Sequence, residues 1–176
     1  MHLVVVRHGE SEYNKSNLVC GISDSKLTEK GLSQAIRLKE VLSTYKFSVV
    51  YTSPLIRAIE TAKIITGNNI AQIVIDERLI ERNYGDYEGC DETLISFKEI
   101  KWELGIRMPG QGESIFQMIQ RVYSFLDDLK SDNVMDTVII VCHCGICRII
   151  NSYFQNMSNK DFIDYYINNS NFPHSK

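Results

Sequence analysis

The chain has 176 residues, of which 44% are hydrophobic and 23% are charged, and its formal net charge is −3. This length and composition are typical of one globular domain covering residues 1–176. The slightly acidic balance gives no basic surface of the kind that binds nucleic acid. No apolar stretch approaches the ~18 residues of a membrane-spanning helix. We therefore expect neither nucleic acid nor a membrane as a partner.

The first part of the chain begins the alternation of strand and helix. The β-branched run from Leu3 to Arg7 predicts a buried strand, and Thr28 is a typical N-cap for a helix that runs to about Tyr45. The apolar face expected for that helix consists of Leu32, Ala35, Leu38, Val41 and Leu42.

The middle of the chain continues in the same way. The predicted elements are a strand from Phe47 to Tyr51, a helix through Ile65 with Pro54 in its first turn and Gly67-Asn68-Asn69 at its end, a short strand from Ile73 to Ile75, and an amphipathic helix from Glu92 to Gly105.

The last third predicts two more helices around a strand, and then a final helix. A helix beginning at Ser114 has its apolar side formed by Ile115, Met118, Ile119, Val122, Phe125, Leu126 and Leu129. It is followed by a strand from Thr137 to Cys142, a helix from about Gly145 to Phe154, and a helix opened by a capping box of Ser158 and Asp161, with the tail from Asn168 expected to be frayed. Alternating signals of this kind predict a three-layer α/β/α fold with a mainly parallel central sheet.

Two histidines stand at the carboxyl ends of predicted strands. His8 follows Arg7 directly after the first strand, and His143 follows Cys142 at the end of the last one. Because open parallel sheets bind ligands at the carboxyl ends of their strands, we expect one composite site. Arginine offers a permanently charged planar fork for phosphate, and a neutral imidazole can attack phosphorus when a hydrogen bond fixes the proton on its other nitrogen.

Six short motifs occur in order over most of the chain. They are Arg7-His8-Gly9-Glu10-Ser11 with Asn14, Leu27-Thr28-Glu29-Lys30-Gly31, Ser53-Pro54-Leu55 with Arg57-Ala58, Glu81 with Gly85 and Glu88-Gly89, Gly112-Glu113-Ser114, and His143. One such triplet alone would be weak evidence, whereas the ordered set is strong. The chain resembles the histidine phosphatase superfamily, which includes the cofactor-dependent phosphoglycerate mutases.

This resemblance implies hydrolysis of a small phosphorylated metabolite through a phosphohistidine on His8. Arg7, Arg57 and His143 would surround the phosphate oxygens. Glu81 would give a proton to the leaving alkoxide, since a carboxylic acid beside a bound phosphate is favoured in its protonated form. Several other acidic residues lie near Glu81 in the sequence, so only the family pattern identifies Glu81 as the proton donor. No cofactor and no metal is implied.

Further residues follow from the same resemblance. Asn14 matches an asparagine that contacts phosphate in the family, and Cys20-Gly21 lies where relatives have small residues lining the substrate pocket. Ser11 and Glu113 are interpreted as hydrogen-bonding scaffold.

The cysteines are the main departure from the family pattern. Relatives typically have glycine after the second histidine, where this chain has Cys144, which puts the width of the pocket in doubt. The run from Cys142 to Cys147 also invites a zinc interpretation. Consecutive strand residues point to opposite faces, however, so Cys142 and His143 do not readily share an ion. The five cysteines form no disulfide framework and predict reduced thiols in the cytoplasm.

Two alternatives to a phosphatase stay open. Mutases of the family carry a long basic insertion after the glutamate motif, whereas here only the short segment between Gly89 and Gly112 is present, with Lys98, Lys101 and Arg107 as its cations. The short segment favours a phosphatase, and a phosphoglycerate mutase is the first alternative. A phosphate-ligand sensor without catalysis is the second. A homodimer is left open by the sequence.

Overall fold

The computed structural model describes residues 2–67, 71–131 and 137–170. Its strands are β1 (His2–Arg7), β2 (Phe47–Thr52), β3 (Gln72–Ile75) and β4 (Thr137–Cys142). Its helices are α1 (Glu12–Lys15), α2 (Glu29–Leu42), α3 (Ile56–Thr66), α4 (Ile95–Ile100), α5 (Ile115–Ser131), α6 (Cys144–Phe154) and α7 (Asn159–Asp164), with 3-10 turns at Glu77–Leu79 and Gly85–Tyr87.

The four strands form one parallel sheet in the order β1-β4-β2-β3. β4 lies between β1 and β2, and its register pairs Cys142 with Arg7 and Val141 with Thr52. The carboxyl ends of these three strands are therefore level, although they are far apart in sequence. The residues that follow them (His8, Ser53 and His143) emerge at the same edge of the sheet.

Helices cover both faces of the sheet, which confirms the predicted α/β/α architecture. One face of β1, β2 and β4 packs against α2 and α3, and includes Val4, Val50 and Ile139. The other face packs against α5 and α6, and includes Val5 and Ile140. Alternate strand residues point to opposite faces, so these short apolar runs are buried on both sides, as parallel strands usually are.

Helix α2 is shorter and buries a narrower face than the sequence predicts. It ends at Leu42 rather than near Tyr45, and Leu32 and Val41 are 40% and 51% exposed. The buried positions are Gly31, Ala35, Leu38 and Leu42. Leu32 and Val41 are each about one residue, or roughly 100° of helical rotation, away from this stripe, which turns them toward the solvent.

The prediction of a helix from Glu92 to Gly105 was also too long, since α4 covers only Ile95–Ile100. On the N-terminal side, the Asp91 carboxylate accepts hydrogen bonds from the backbone and hydroxyl of Thr93, which forms a local turn instead. On the C-terminal side, the Lys101 carbonyl accepts a hydrogen bond from the Arg82 side chain at 2.5 Å. The arginine thus binds the carbonyl that a backbone N–H would bind in a longer helix.

Two other boundaries differ slightly. Pro54 precedes α3, which begins at Ile56 after an extended N-cap at Leu55, and α6 begins at Cys144 rather than Gly145. The Ser158–Asp161 capping box is present. Asn68, Asn69 and the tail beyond Ser170 lie outside the described residues. None of the described helices combines the length and the apolar character that crossing a membrane would need.

Candidate active site

His8 lies directly beyond β1, buried to 3% exposure, with a defined arrangement of its two ring nitrogens. Its Nδ1 lies 2.6 Å from the Gly9 carbonyl oxygen, which can only accept, so the proton is placed on Nδ1. Nε2 then carries the lone pair, and it accepts a hydrogen bond from Arg57 Nε at 3.2 Å. Burial, followed by the charges of Arg57 and Arg7, holds the pKa of His8 well below its usual value of 6.5. The imidazole is therefore neutral and nucleophilic at physiological pH.

Arg57 reaches this nitrogen from the first turn of α3 and is fully buried. Besides Nε, its two terminal nitrogens donate to the carbonyl oxygens of Ser23 at 2.9 Å and Gly21 at 2.6 Å. Three hydrogen bonds therefore orient the guanidinium before any substrate arrives, and no carboxylate among the described residues neutralises it. A fixed, unneutralised cation beside a nucleophile is suited to phosphate.

The loop that holds Arg57 is organised by Glu88, a residue to which the sequence analysis gave no specific role. The Glu88 carboxylate accepts backbone N–H bonds from Gly21, Ile22, Ser23 and Tyr84 at 3.0–3.1 Å. A Cβ on Gly21 would lie 2.0 Å from a Glu88 carboxylate oxygen, so this close approach requires glycine. The signal for Glu88 was its place in the motif Glu88-Gly89, but the sequence could not show which loop it binds.

Gly21 therefore differs from its predicted role. It was expected to line the substrate pocket, whereas it is buried between Glu88 and Arg57 and acts through the orientation of the arginine. Cys20 lines the cavity, with its sulfur 3.9 Å from the hydroxyl of Ser11.

Arg7 is held by the segment that follows α7. Its Nη1 donates to the Ile167 carbonyl at 2.7 Å, and its guanidinium lies 5.2 Å from the centre of the Tyr166 ring. Its Nε is buried and has no hydrogen-bond partner among the described residues. Arg7 also lines the cavity.

The prediction of fraying from Asn168 is wrong for the described part of the tail. The Ser170 N–H lies 2.9 Å from the Arg7 carbonyl oxygen, and Asn169 Nδ2 donates to the His8 carbonyl at 3.0 Å and to Asn14 Oδ1 at 3.3 Å. The tail therefore provides hydrogen-bond donors for the carbonyl oxygens of Arg7 and His8 at the end of β1.

Asn14 is oriented by the same contacts. Its Oδ1 accepts from the Ser11 backbone at 3.2 Å and from Asn169, which leaves its amide nitrogen to donate into the cavity that it lines. Ser11 is the N-cap of α1, and Glu113 forms an ion pair with Arg121 at 2.8 Å. These two positions match the scaffold interpretation of the sequence.

His143 meets His8 across the site, with ring centres 5.0 Å apart. Its Nε2 lies 2.7 Å from Ser53 Oγ, and Ser53 already accepts from the Leu55 N–H, so the serine can donate its own hydrogen to the ring. The proton of His143 is then on Nδ1, which is buried without a partner among the described residues. Burial, followed by the charge of Arg57, lowers the pKa of His143 well below 6.5. The neutral ring of His143 therefore has one N–H group, at Nδ1, to which no described residue offers an acceptor.

The side chain of Glu81 lies against the N-terminus of α6. Its carboxylate oxygens accept from the backbone N–H groups of Gly145 at 3.0 Å and Arg82 at 2.9 Å. A Cβ on Gly145 would lie 2.5 Å from a Glu81 oxygen, so glycine at this position allows the carboxylate to approach the helix. Glu81 is 5% exposed and lines the same cavity as His8.

Arg82 fixes the segment between residues 90 and 113, which we call the cap. Its guanidinium, 2% exposed, donates to the carbonyl oxygens of Glu113 at 2.9 Å and Lys101 at 2.5 Å. This contact brings Lys101 and Trp102 to the cavity wall, whereas Lys98 and Arg107 are exposed. Arg82 was not predicted as a functional residue, because a buried arginine that binds carbonyl groups has no sequence signature.

The resulting cavity has a volume of about 650 Å³, and its lining includes His8, Arg7, Asn14 and Glu81. Arg57 and His143 are fully buried and are not among the lining residues. Cys144 also lines it, while Cys142 and Cys147 are buried under α6 with their sulfurs 3.6 Å apart. Within the described ranges, no group of three or more histidine, cysteine or acidic side chains is arranged to hold a metal ion.

Comparison with known proteins agrees with this geometry. A sequence model of the histidine phosphatase superfamily (branch 1) matches residues 3–172. The 2,3-bisphosphoglycerate-dependent phosphoglycerate mutase of Cytophaga hutchinsonii is 36% identical over 169 residues, covering 90% of this chain and 79% of the relative. The putative phosphoserine phosphatase 2 of Hydrogenobacter thermophilus is 37% identical over 155 residues, covering 84% and 75%.

Among solved structures, the phosphoserine phosphatase of Entamoeba histolytica in complex with 3-phosphoglyceric acid superimposes with a TM-score of 0.82 at 26% identity, covering 97% of this chain and 87% of that one. The chain belongs to the histidine phosphatase superfamily.

Proposed function

We propose that the protein hydrolyses small phosphomonoesters through a phosphohistidine formed on Nε2 of His8. The observation that supports this most directly is the state of His8, with its proton fixed on Nδ1 by Gly9 and its Nε2 lone pair facing Arg57. A nucleophile of this kind at the base of a cavity rich in unused donors is what phosphoryl transfer requires, since the reaction depends on alignment and on stabilising charge.

In the first step the phosphate binds among Arg7, Arg57, Asn14 and His143, and Arg57 Nε moves its hydrogen bond from His8 to a phosphate oxygen. Nε2 attacks phosphorus, the P–O bond to the alcohol breaks, and Glu81 gives its proton to the departing oxygen. In the second step Glu81 takes a proton from water, the water oxygen attacks phosphorus, and the P–N bond breaks to release inorganic phosphate and regenerate His8.

A mutase is the second candidate, and the 36% identity to the Cytophaga mutase favours it. A mutase must keep water away from the phosphohistidine. The cap here is a short segment whose helix covers only Ile95–Ile100. The short cap favours hydrolysis. We also propose a cytoplasmic location, since the five cysteines are free thiols.

The test is phosphate release from a panel of small phosphomonoesters, with 3-phosphoglycerate plus 2,3-bisphosphoglycerate assayed in parallel for isomerisation. We expect release without isomerisation. The His8→Ala variant should lose more than about 10⁴-fold in turnover, as removal of a catalytic nucleophile commonly does, and it should form no acid-labile phosphoenzyme. His2→Ala, at the other end of β1, is the matched control and should retain both.

Isomerisation by the wild-type protein would replace the phosphatase with the mutase. A folded protein with neither activity would support a phosphate-binding sensor, and an active His8→Ala variant would overturn the assignment of the nucleophile.

A further inference from the structure

Glu88 has no part in the proposed mechanism, yet only one peptide group separates its carboxylate from the Arg57 guanidinium. We propose that Glu88 is a positioning residue for phosphoryl transfer, and that it directs Arg57 toward His8 through the peptide group that joins Gly21 and Ile22. The inference rests on the proposed function, and it gives Glu88 a role in the rate of the reaction rather than in stability alone.

The peptide group between Gly21 and Ile22 contacts both charges. The Ile22 N–H donates to Glu88 Oε1 at 3.0 Å, and the Gly21 carbonyl oxygen accepts from Arg57 Nη2 at 2.6 Å. The N–H and the carbonyl of a trans peptide point in opposite directions, so the two charges lie on opposite sides of one planar unit. A peptide dipole of about 3.5 D is stabilised by an anion at its N–H and a cation at its carbonyl. The carboxylate therefore favours the orientation in which this carbonyl binds Arg57.

The carboxylate holds the whole turn of the loop and not one peptide group alone. Three successive N–H groups, those of residues 21–23, donate to Glu88 at 3.0–3.1 Å, an arrangement typical of backbone anion sites. The carbonyl of Ser23 in the same turn accepts from Arg57 Nη1 at 2.9 Å. Both terminal nitrogens of the guanidinium are thereby fixed, and Arg57 Nε is directed at His8 Nε2, which lies 3.2 Å away.

Glu88 also connects this loop to the segment that contains Glu81. Its Oε1 accepts the Tyr84 N–H at 3.0 Å, in addition to an N–H of the loop. Tyr84 lies three residues after Glu81, which we propose as the proton donor. One carboxylate thus determines where the loop that binds Arg57 lies relative to the segment of the proton donor.

A carboxylate is the side chain that these contacts require. Glu88 forms no ion pair within the described ranges, so backbone N–H groups are the partners of its charge. Oε1 accepts from Ile22 and Tyr84. Oε2 accepts from Gly21 and Ser23. In Glu88→Gln one of the two oxygens becomes an NH2 group, which can only donate, so two of the four contacts are lost whichever way the amide is turned.

The experiment is a double-mutant cycle. The four proteins are the wild-type protein, Glu88→Gln, Arg57→Gln and the variant with both substitutions. kcat/KM is measured with p-nitrophenyl phosphate, whose leaving group hardly needs a proton, so the effect of Arg57 is separated from that of Glu81. The inhibition constants of orthovanadate, which mimics five-coordinate phosphorus, and of inorganic phosphate are measured for the same proteins. Glu77→Gln, at an exposed position shortly after β3, is the control and should match the wild-type protein.

We expect Glu88→Gln to reduce kcat/KM about tenfold, because a misdirected donor loses part of the 10²–10³-fold that a preorganised one contributes. In the Arg57→Gln background the same substitution should cost less than about twofold, since no guanidinium is left to orient. The inhibition constant of orthovanadate should rise more in Glu88→Gln than that of phosphate, because only orthovanadate resembles the transition state.

A loss of folding can be separated from a loss of positioning. Inhibition constants report only on active molecules, so an unfolded fraction does not change them. Glu88→Asp, which keeps the charge on a side chain one methylene shorter, is the second variant, and its loss should depend on Arg57 in the same way.

Equal losses in the wild-type and Arg57→Gln backgrounds would overturn the proposal and leave Glu88 with a purely structural role. Wild-type values of kcat/KM in both Glu88 variants would overturn it as well. Failure of the wild-type protein to hydrolyse p-nitrophenyl phosphate or any other phosphomonoester would instead contradict the proposed function.

Discussion

The two ends of the cavity are built in different ways. At the phosphate end, His8, Ser53 and His143 follow three adjacent parallel strands whose register is set by the sheet. At the cap end, Lys101 and Trp102 come from a turn that is held by the guanidinium of Arg82 and by the packing of Phe97, on the preceding helix, in a small apolar cluster. The first end is fixed by the architecture of the fold, and the second by a few side-chain contacts.

The two ends are suited to different tasks. A phosphohistidine reaction needs its groups in one arrangement, and a parallel sheet provides that arrangement rigidly. Recognition of the remainder of the substrate varies among relatives of one fold, and it is usually assigned to loops. Substitutions at the phosphate end should therefore affect every substrate equally, whereas those at the cap end should discriminate between substrates.

Removal of a phosphate-end cation is the strongest test of this contrast. Arg57→Gln should reduce kcat/KM by about 10²–10³-fold, the usual cost of losing one preorganised donor to a charged transition state. The loss should be similar for all phosphomonoesters, with or without a second anionic group. Steady-state kinetics on the panel of small phosphomonoesters provides the measurement.

Arg37→Gln is the control for this variant, since Arg37 is exposed on α2, and its activity should match the wild-type protein. A selective loss in Arg57→Gln, confined to some of the phosphomonoesters, would mean that the two ends are not functionally separate.

Glu81 lies beyond β3, and its predicted role can be separated from simple binding. In Glu81→Gln, the amide oxygen can accept only one of the two backbone N–H bonds from Arg82 and Gly145, and no proton can be given to the leaving group. We expect a loss of about 10²-fold for alkyl phosphates, within the range typical of general acid catalysis. p-Nitrophenyl phosphate, whose leaving group hardly needs a proton, should lose much less.

The measurement is the ratio of first-step rates for the two leaving groups, obtained from burst kinetics. The same loss for both substrates would remove Glu81 from the role of proton donor and leave it as a group that positions the start of α6.

The phosphate end could be predicted from the sequence because its signals are local. A β-branched run followed by Arg7-His8, and another followed by His143, is sufficient to place both histidines at strand ends, and the parallel register then brings them together. The motifs of the family supplied Arg57 and Glu81, which composition and spacing alone would not have distinguished from other charged residues.

The contacts of the cap, of the loop that holds Arg57 and of the tail could not be predicted, for a physical reason. Arg82, Glu88 and Arg148 bind backbone groups that are distant in sequence, and nothing in a local pattern shows which carbonyl or N–H a buried charge will meet. The same limitation explains two of the wrong predictions. The helix from Glu92 to Gly105 is interrupted by the Arg82–Lys101 contact, and the tail expected to fray binds the end of β1.

The two buried histidines lie at the phosphate end, and they should make the free energy of unfolding depend on pH. Burial, with Arg57 nearby, holds the pKa values of His8 and His143 well below 6.5. Above about pH 6.5 both rings are neutral in the native and the unfolded chain, so they add no pH dependence. Below that value the unfolded chain takes up protons that the native site refuses, and the free energy of unfolding falls as the pH falls.

Each histidine contributes a slope of up to about 1.4 kcal/mol per pH unit between its native pKa and 6.5. Urea unfolding of the wild-type protein between about pH 5.5 and 7.5 should therefore show a steeper decline on the acidic side than His8→Gln, by up to that amount. Equal slopes would mean that His8 accepts a proton in the folded protein, and the neutral nucleophile would then have to be created by substrate binding rather than by the fold.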